Sequence, residues 1–247
     1  MRYKENIGGI EVDVLKKNNL KNLYIRIIPP EGDVKVSAPV ICTDWEIRNF
    51  VLKKIPEICK VIDKFKKQPR QSKREYVSGE SHYLWGKPYR LEVIYENNKY
   101  EVEKTTNKII LKIPEGTDAL KRESILTEWY RKELKRVLKV ISKKCERNTG
   151  LTANEYRVKN MKTKWGTCNI DKKRIWINLQ LVKKPMECLE YVLTHELVHL
   201  IEKNHTNRFH ALVEGFYPTW KEARKLLSEM PLDYLEKSNF YEEKDIE

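Results

Sequence analysis

Two histidines four residues apart, His195 and His199, flank a glutamate in the run Thr194-His195-Glu196-Leu197-Val198-His199. On a helix they stand one above the other, and each can offer an imidazole nitrogen to the same metal ion. At about 100° per residue, Glu196 lies beside that face, where a carboxylate can activate a metal-bound water without ligating the metal. His205 can supply a third ligand if the helix stops in time. Three protein ligands leave the fourth zinc position to water, the arrangement catalytic sites need. The chain has five histidines, and four of them fall between positions 195 and 210.

Other third ligands stay open on spacing alone. Glu202 shares the histidine face, but seven residues at about 1.5 Å rise place its backbone roughly 10 Å along the axis from His195. His210 and Glu214 lie downstream, and Glu214 would make a two-His-one-Glu set. The elements around the motif suit a site. Leu189, Leu193, Leu197 and Leu200 fall within an arc of about 80°, roughly opposite the histidines, so one face can bury itself while the other carries chemistry. Pro185 suits the first turn of this helix, with Glu187 behind it. Asn204 is expected to end the helix in the left-handed conformation, reversing the chain toward the metal.

Upstream, period-two alternation predicts strands at Ile10 to Val14, Leu23 to Ile27 and Val34 to Val36, with turns at residues 17–19 and 30–33. A helix from about Thr43 to Phe65 follows, with a break or kink expected at Pro56. A basic connector, residues 64–74, separates it from extended segments at Tyr76 to Trp85, Tyr89 to Tyr95, Tyr100 to Lys104 and Ile109 to Ile113. Glu96-Asn97-Asn98-Lys99 is expected to be a hairpin turn, because Asn tolerates positive φ. A long helix from about Asp118 to Asn148 stops before Gly150. The order strands, proline, helix thus occurs twice. Glu155 to Met161 and Arg174 to Leu179 read as strands, and the edge of the second is expected along the metal, where an extended peptide could pair with it. Short helices follow near Phe209 to Phe216 and Trp220 to Leu227.

The 247 residues allow one large domain or two modest ones. The division expected is a β-rich N-terminal region with one helix over 1–115, a catalytic region over 116–235 and a charged, frayed tail over 236–247. No stretch reaches the roughly 20 apolar residues of a membrane span, and no apolar signal core follows Met1, so a cytoplasmic protein is expected. Five cysteines without CxxC spacing indicate neither a disulfide framework nor a thiolate zinc site. The formal charge of +13 favours acidic partners, nucleic acid among them. Lysines spread over solvated faces would explain it equally.

The chain resembles the YgjP-like metallopeptidase family, relatives of the SprT-like and WLM zinc peptidases. The resemblance is carried by Lys162-Thr163-Lys164-Trp165-Gly166-Thr167-Cys168, Ile177-Asn178, Leu181, Pro185, Tyr191-Val192, His195 to His199, Asn204-His205 and Phe209. It extends more loosely through Ala38-Pro39, Gly79-Glu80, Trp85-Gly86 and Trp129-Tyr130. It implies an α+β fold whose zincin-like catalytic half packs the histidine helix on a small sheet. It also implies one zinc per chain on His195, His199 and His205, with Glu196 as general base and a peptide or protein as substrate. His210 departs from the family pattern, which usually has Trp after the Phe. Lys164, Trp165 and Tyr217 are candidates for contacting substrate or the developing oxyanion. The competing readings are a metal-dependent phosphohydrolase acting on nucleotide anhydrides, although no Walker-type glycine loop is present, and a nucleic-acid-associated protein.

Overall fold

Alternation of apolar and polar residues builds the first sheet, and a matching arrangement recurs in the second. In the computed structural model, which describes residues 1–28, 31–67, 74–161 and 164–229, strands β1 (Arg2–Ile7), β2 (Ile10–Lys17), β3 (Tyr24–Ile28) and β4 (Asp33–Pro39) pair in the order β1-β2-β4-β3. β2 and β4 run parallel, and the outer pairs are antiparallel. Val12, Val14, Val34 and Val36 point to one face and meet Ile47, Val51 and Ile58 of helix α1 (Asp44–Lys67). Thr43 and Glu46 bond reciprocally to cap that helix. The helix runs on through Pro56, against the expected break. Pro56 is exposed, so water can satisfy the carbonyl it leaves unpaired, while buried residues hold the turns on both sides. β1 is absent from the periodicity reading because its sequence, Arg-Tyr-Lys-Glu-Asn-Ile, offers apolar residues at only two positions.

Strands β5 (Ser81–Leu84), β6 (Lys87–Tyr95), β7 (Glu101–Lys104) and β8 (Lys108–Ile113) repeat the pattern in the order β5-β6-β8-β7, with β6 parallel to β8. Helix α2 (Ala119–Thr149) follows, as α1 follows the first sheet. The shared strand order and pairing sense give the recurring strand–helix order a structural counterpart. Asn98 adopts positive φ in the β6–β7 connection, but that connection is not the hairpin turn expected, because β8 lies between the two strands and pairs with both. Asp118 caps α2 by accepting the Lys121 N–H, and Gly150 ends it in the left-handed conformation at φ 68°.

The rest is a three-stranded sheet and three helices. β9 (Glu155–Lys159), β10 (Gly166–Asn169) and β11 (Arg174–Asn178) pair in the order β10-β11-β9. Residues 174–178 form the central strand, paired on both sides, so the sheet's edges belong to β10 and β9 and not to the strand expected to present one. A 3-10 turn (Leu179–Lys183) leads into α3 (Met186–Val198), then α4 (Asn207–Phe216) and α5 (Trp220–Glu229). Pro30 of the turn at 30–33, most of the basic connector, Lys162, Thr163 and the tail 236–247 lie outside the described residues.

The described chain divides into two compact units, within Met1–Ser72 and within Lys73–Met230. The boundary expected near residue 115 falls inside the second. Leu84, Leu91, Ile109, Leu111 and Ile113 bury into the same core as α2 and α3, because one face of their sheet must be covered and α2 covers it. No described helix is long and apolar enough to cross a membrane.

Candidate metal centre

Helix α3 is held from several sides before any site chemistry begins. Its leucines Leu189, Leu193 and Leu197 are fully buried. At its start, the turn joining β5 to β6 donates Trp85 N–H to the Val182 carbonyl and Gly86 N–H to the Lys183 carbonyl. Both turn residues have positive φ, as a two-residue type I′ connection requires, and a side chain at Gly86 would strike Pro185. The hairpin therefore sits flush on the residue that begins the histidine helix.

The helix ends at Val198, a turn earlier than expected, and His199 stands at its C-cap with helical dihedrals. Asn204 is not left-handed. Instead, the Leu200, Ile201 and Glu202 N–H groups bond back to Leu197 and Val198, winding a last turn, and Thr206 N–H bonds to the Asn204 carbonyl. Thr206 then caps α4 by accepting the Phe209 N–H. Two tight local devices thus replace a single reversal at Asn204, and they bring His205 back over the helix.

His195, His199 and His205 each offer a ring nitrogen, and these atoms lie within 4.8 Å of one another. The Nε2 atoms of His195 and His205 are 3.0 Å apart. A tetrahedral zinc with Zn–N about 2.0–2.1 Å spaces its ligands roughly 3.4 Å apart, so the cluster fits a metal of that size. His199 Nδ1 lies 3.1 Å from the Glu202 carbonyl, which can accept its N–H and leave Nε2 for a metal. Burial, followed by the neighbouring His199 and His205, lowers the pKa of His195 to about 3; burial lowers that of His205 as well. Both rings are held neutral, the form that ligates.

The other spacing candidates do not join this cluster, although the His210 ring stacks at 6.4 Å from that of His205. The Glu202 carboxylate is 3.9 Å from Arg208. His210 stacks on Trp220, with ring centroids 5.9 Å apart. Glu214 is exposed and takes the Trp220 N–H and Lys221. What spacing did not reveal is the floor of the site. Phe209, 1% exposed, packs its ring against all three histidines at centroid distances of 4.8, 4.7 and 4.7 Å. Its signals were its place in the resemblance motif and in the apolar spacing of the helix expected near Phe209 to Phe216.

Glu196 is 5% exposed, and burial raises its pKa to about 8 while Lys164 pulls it down. β10 runs alongside, with Gly166 facing the carboxylate. Burial, and then Glu196, raise the Cys168 thiol to about 11, so it stays protonated. Asn178, 3% exposed, fixes the chain entering β10: its Nδ2 donates to the carbonyls of Met161 and Lys164, and its Oδ1 accepts from the N–H groups of Met161 and Gln180. Of the candidate substrate contacts, Lys164 is felt electrostatically by Glu196. Trp165 packs against the core beneath Lys184. Tyr217 donates to the Glu187 carbonyl in the first turn of α3, eight residues or roughly 12 Å along the axis from His195.

Residues 21–230 match a metallopeptidase domain, which makes the chain a metallopeptidase by class. That domain is the YgjP-like one, and the chain belongs to the YgjP-like metallopeptidase family. Such a family implies a metal ion, and the three histidines could hold one. The chain is also similar to a crystal structure of the metallopeptidase zymogen of Pyrococcus abyssi abylysin. The identity is 20%, covering 36% of this chain and 87% of that one at a TM-score of 0.33. Comparison with curated proteins finds no match.

Proposed function

We propose that this metallopeptidase is a zinc-dependent hydrolase of peptide bonds with a zincin-like catalytic region. In this reading His195, His199 and His205 hold one zinc and Glu196 is the general base. The observation that carries it is the convergence of three imidazole nitrogens within 4.8 Å on the helix that also bears a buried carboxylate. Nitrogen donors favour zinc among the common cations, and three of them leave one position open. When bound, the ion supplies a Lewis acid that lowers the pKa of water toward about 7 and polarises the scissile carbonyl.

Glu196 accepts the proton of the attacking water and returns it to the leaving amine. Burial raises its proton affinity, whereas Lys164 and a bound cation oppose that rise. Phe209 and the Glu202 carbonyl hold the histidine rings in place. The outer edge of β10 is unpaired among the described residues, so an extended peptide can add to it by backbone hydrogen bonds next to Glu196. That edge favours a peptide over a nucleotide anhydride.

The test is elemental analysis of untagged protein together with peptide and nucleotide hydrolysis assays run side by side. The wild type should carry about one zinc per chain, which His205→Ala retains poorly. Glu196→Gln should keep zinc and lose peptide cleavage. A wild-type protein that takes up no zinc would remove the metal centre, and anhydride hydrolysis without peptide cleavage would redirect the assignment to phosphoryl chemistry.

A further inference from the structure

Helix α2 carries a row of charge that the fold does not use. At 3.6 residues per turn, Lys132, Lys135, Arg136, Lys139, Lys143 and Arg147 fall within an arc of about 120°. All six are exposed, and the opposite side of the helix buries Leu134, Val137, Leu138 and Cys145. Arg136 bonds Glu133 on the flank. The other five have no acidic partner among the described residues. Two acids share this arc: Glu128, a turn before Lys132, pairs with Arg131, and Glu146 is half-buried, its Oε1 accepting the Tyr156 hydroxyl and the Ala153 N–H.

Like charges four residues apart on a helix repel, and here the spacing recurs four times without interruption: 132–136, 135–139, 139–143 and 143–147. A helix needing only solubility relieves this by mixing signs, as α1 does with Lys54 and Glu57. The stripe is also straight and regular, rising about 6 Å per four residues over roughly 22 Å. At its C-terminal end Lys143 and Arg147 line an open cleft of about 440 Å³ with Glu146, Gly150 and Thr152.

We propose that this face of α2 docks the phosphate backbone of a nucleic acid without reading its sequence. Evenly spaced cations on a rigid rod complement evenly spaced phosphates. A membrane surface would call for apolar anchors beside the cations, and among the described residues the only large exposed apolar one flanking the arc is Val140.

The experiment measures binding of the full chain to a fluorescent 20-base-pair duplex across a salt series. The wild type is compared with Lys135→Glu/Lys139→Glu/Lys143→Glu and with a control of equal net charge, Lys87→Glu/Lys159→Glu/Lys172→Glu, with circular dichroism confirming that each is folded. The stripe variant should bind at least tenfold more weakly, and its slope of log affinity against log salt should fall by about 0.9 for each phosphate it no longer neutralises. The control should bind as the wild type does. Absence of wild-type binding at 50 mM salt overturns the proposal. So does equal weakening of both variants, which would mean net charge alone, or equal competition by polyglutamate, which would mean an acidic polypeptide partner.

Discussion

Gly166 stands so close to Glu196 that a β-carbon on it would lie 2.7 Å from the glutamate Oε1 and 2.8 Å from its Cγ. The obstruction is the carboxylate that the proposed mechanism uses, so any side chain at position 166 must displace it. Gly166→Ala should keep its zinc and lower kcat on the order of a hundredfold, because displacement of a reacting group by about 1 Å has that effect. Shortening the base makes room. In a Glu196→Asp background the alanine should cost far less, and an equal loss in both backgrounds would show that the glycine serves only the sheet.

In the proposed zinc site, Phe209 would link metal binding to stability. Phe209→Ala should destabilise the chain by about 3–5 kcal/mol through the cavity it leaves. It should also weaken zinc retention on the order of tenfold, because three histidine rings lose their common support. Phe209→Leu should lower both effects. Chelator competition and urea melts separate the two, and unchanged zinc affinity in a destabilised variant would reduce Phe209 to a core residue.

Asn178 is the joint through which the chain enters β10. Its truncation to alanine leaves the backbone groups of Met161, Lys164 and Gln180 without the side-chain partner they have now. A loss of about 2–3 kcal/mol is expected in a urea melt. Asn178→Asp keeps the acceptor and removes the two donated bonds, so it should fall between. A variant as stable as the wild type would mean that the loop finds other partners.

Stability should fall in mild acid through His82. Burial first, and then the charge of Arg74, lowers its pKa to about 4 from 6.5, although its bond to Glu80 opposes the shift. Between those values the unfolded chain binds a proton that the folded chain refuses, so stability rises with pH there. The contribution is complete above about 6.5 and is lost as pH drops toward 4, amounting to about 3 kcal/mol. Glu80 acts in the same direction. Burial would raise it, but the Glu75 N–H and His82 hold it below the usual carboxylate range, and that stabilisation is lost as pH falls through its folded pKa. His82→Gln keeps a donor for Glu80 without titrating, and should flatten the urea midpoint between pH 4 and 6.5. An unchanged profile would place the acid sensitivity elsewhere.

Much of the local structure is readable without coordinates. Asp118 and Gly150 bracket α2 because caps act within a turn, and the alternating valines of β2 and β4 mark a buried face because a strand repeats every two residues. His195, Glu196 and His199 are readable for the same reason: the helix alone places them. β10 escapes a sequence reading because Gly-Thr-Cys-Asn has no apolar alternation, and its strand character comes from pairing with β11. The early end of α3 escapes it because Asn204 is one of several residues able to stop a helix.

The sequence by itself determined the two-histidine helix, the carboxylate beside it and the family to which the chain belongs. It left four residues competing to complete the cluster and did not say what would surround it. Tertiary structure decided that His205 closes on His195, that Phe209 supports all three rings and that Gly166 faces Glu196. It also placed the second four-stranded sheet in the same core as the histidine helix. The reason is range. Caps, turns and periodicities are set by neighbours a few residues apart, whereas Gly166 and Glu196 are thirty residues apart and meet only because β10 pairs with β11 and packs against α3.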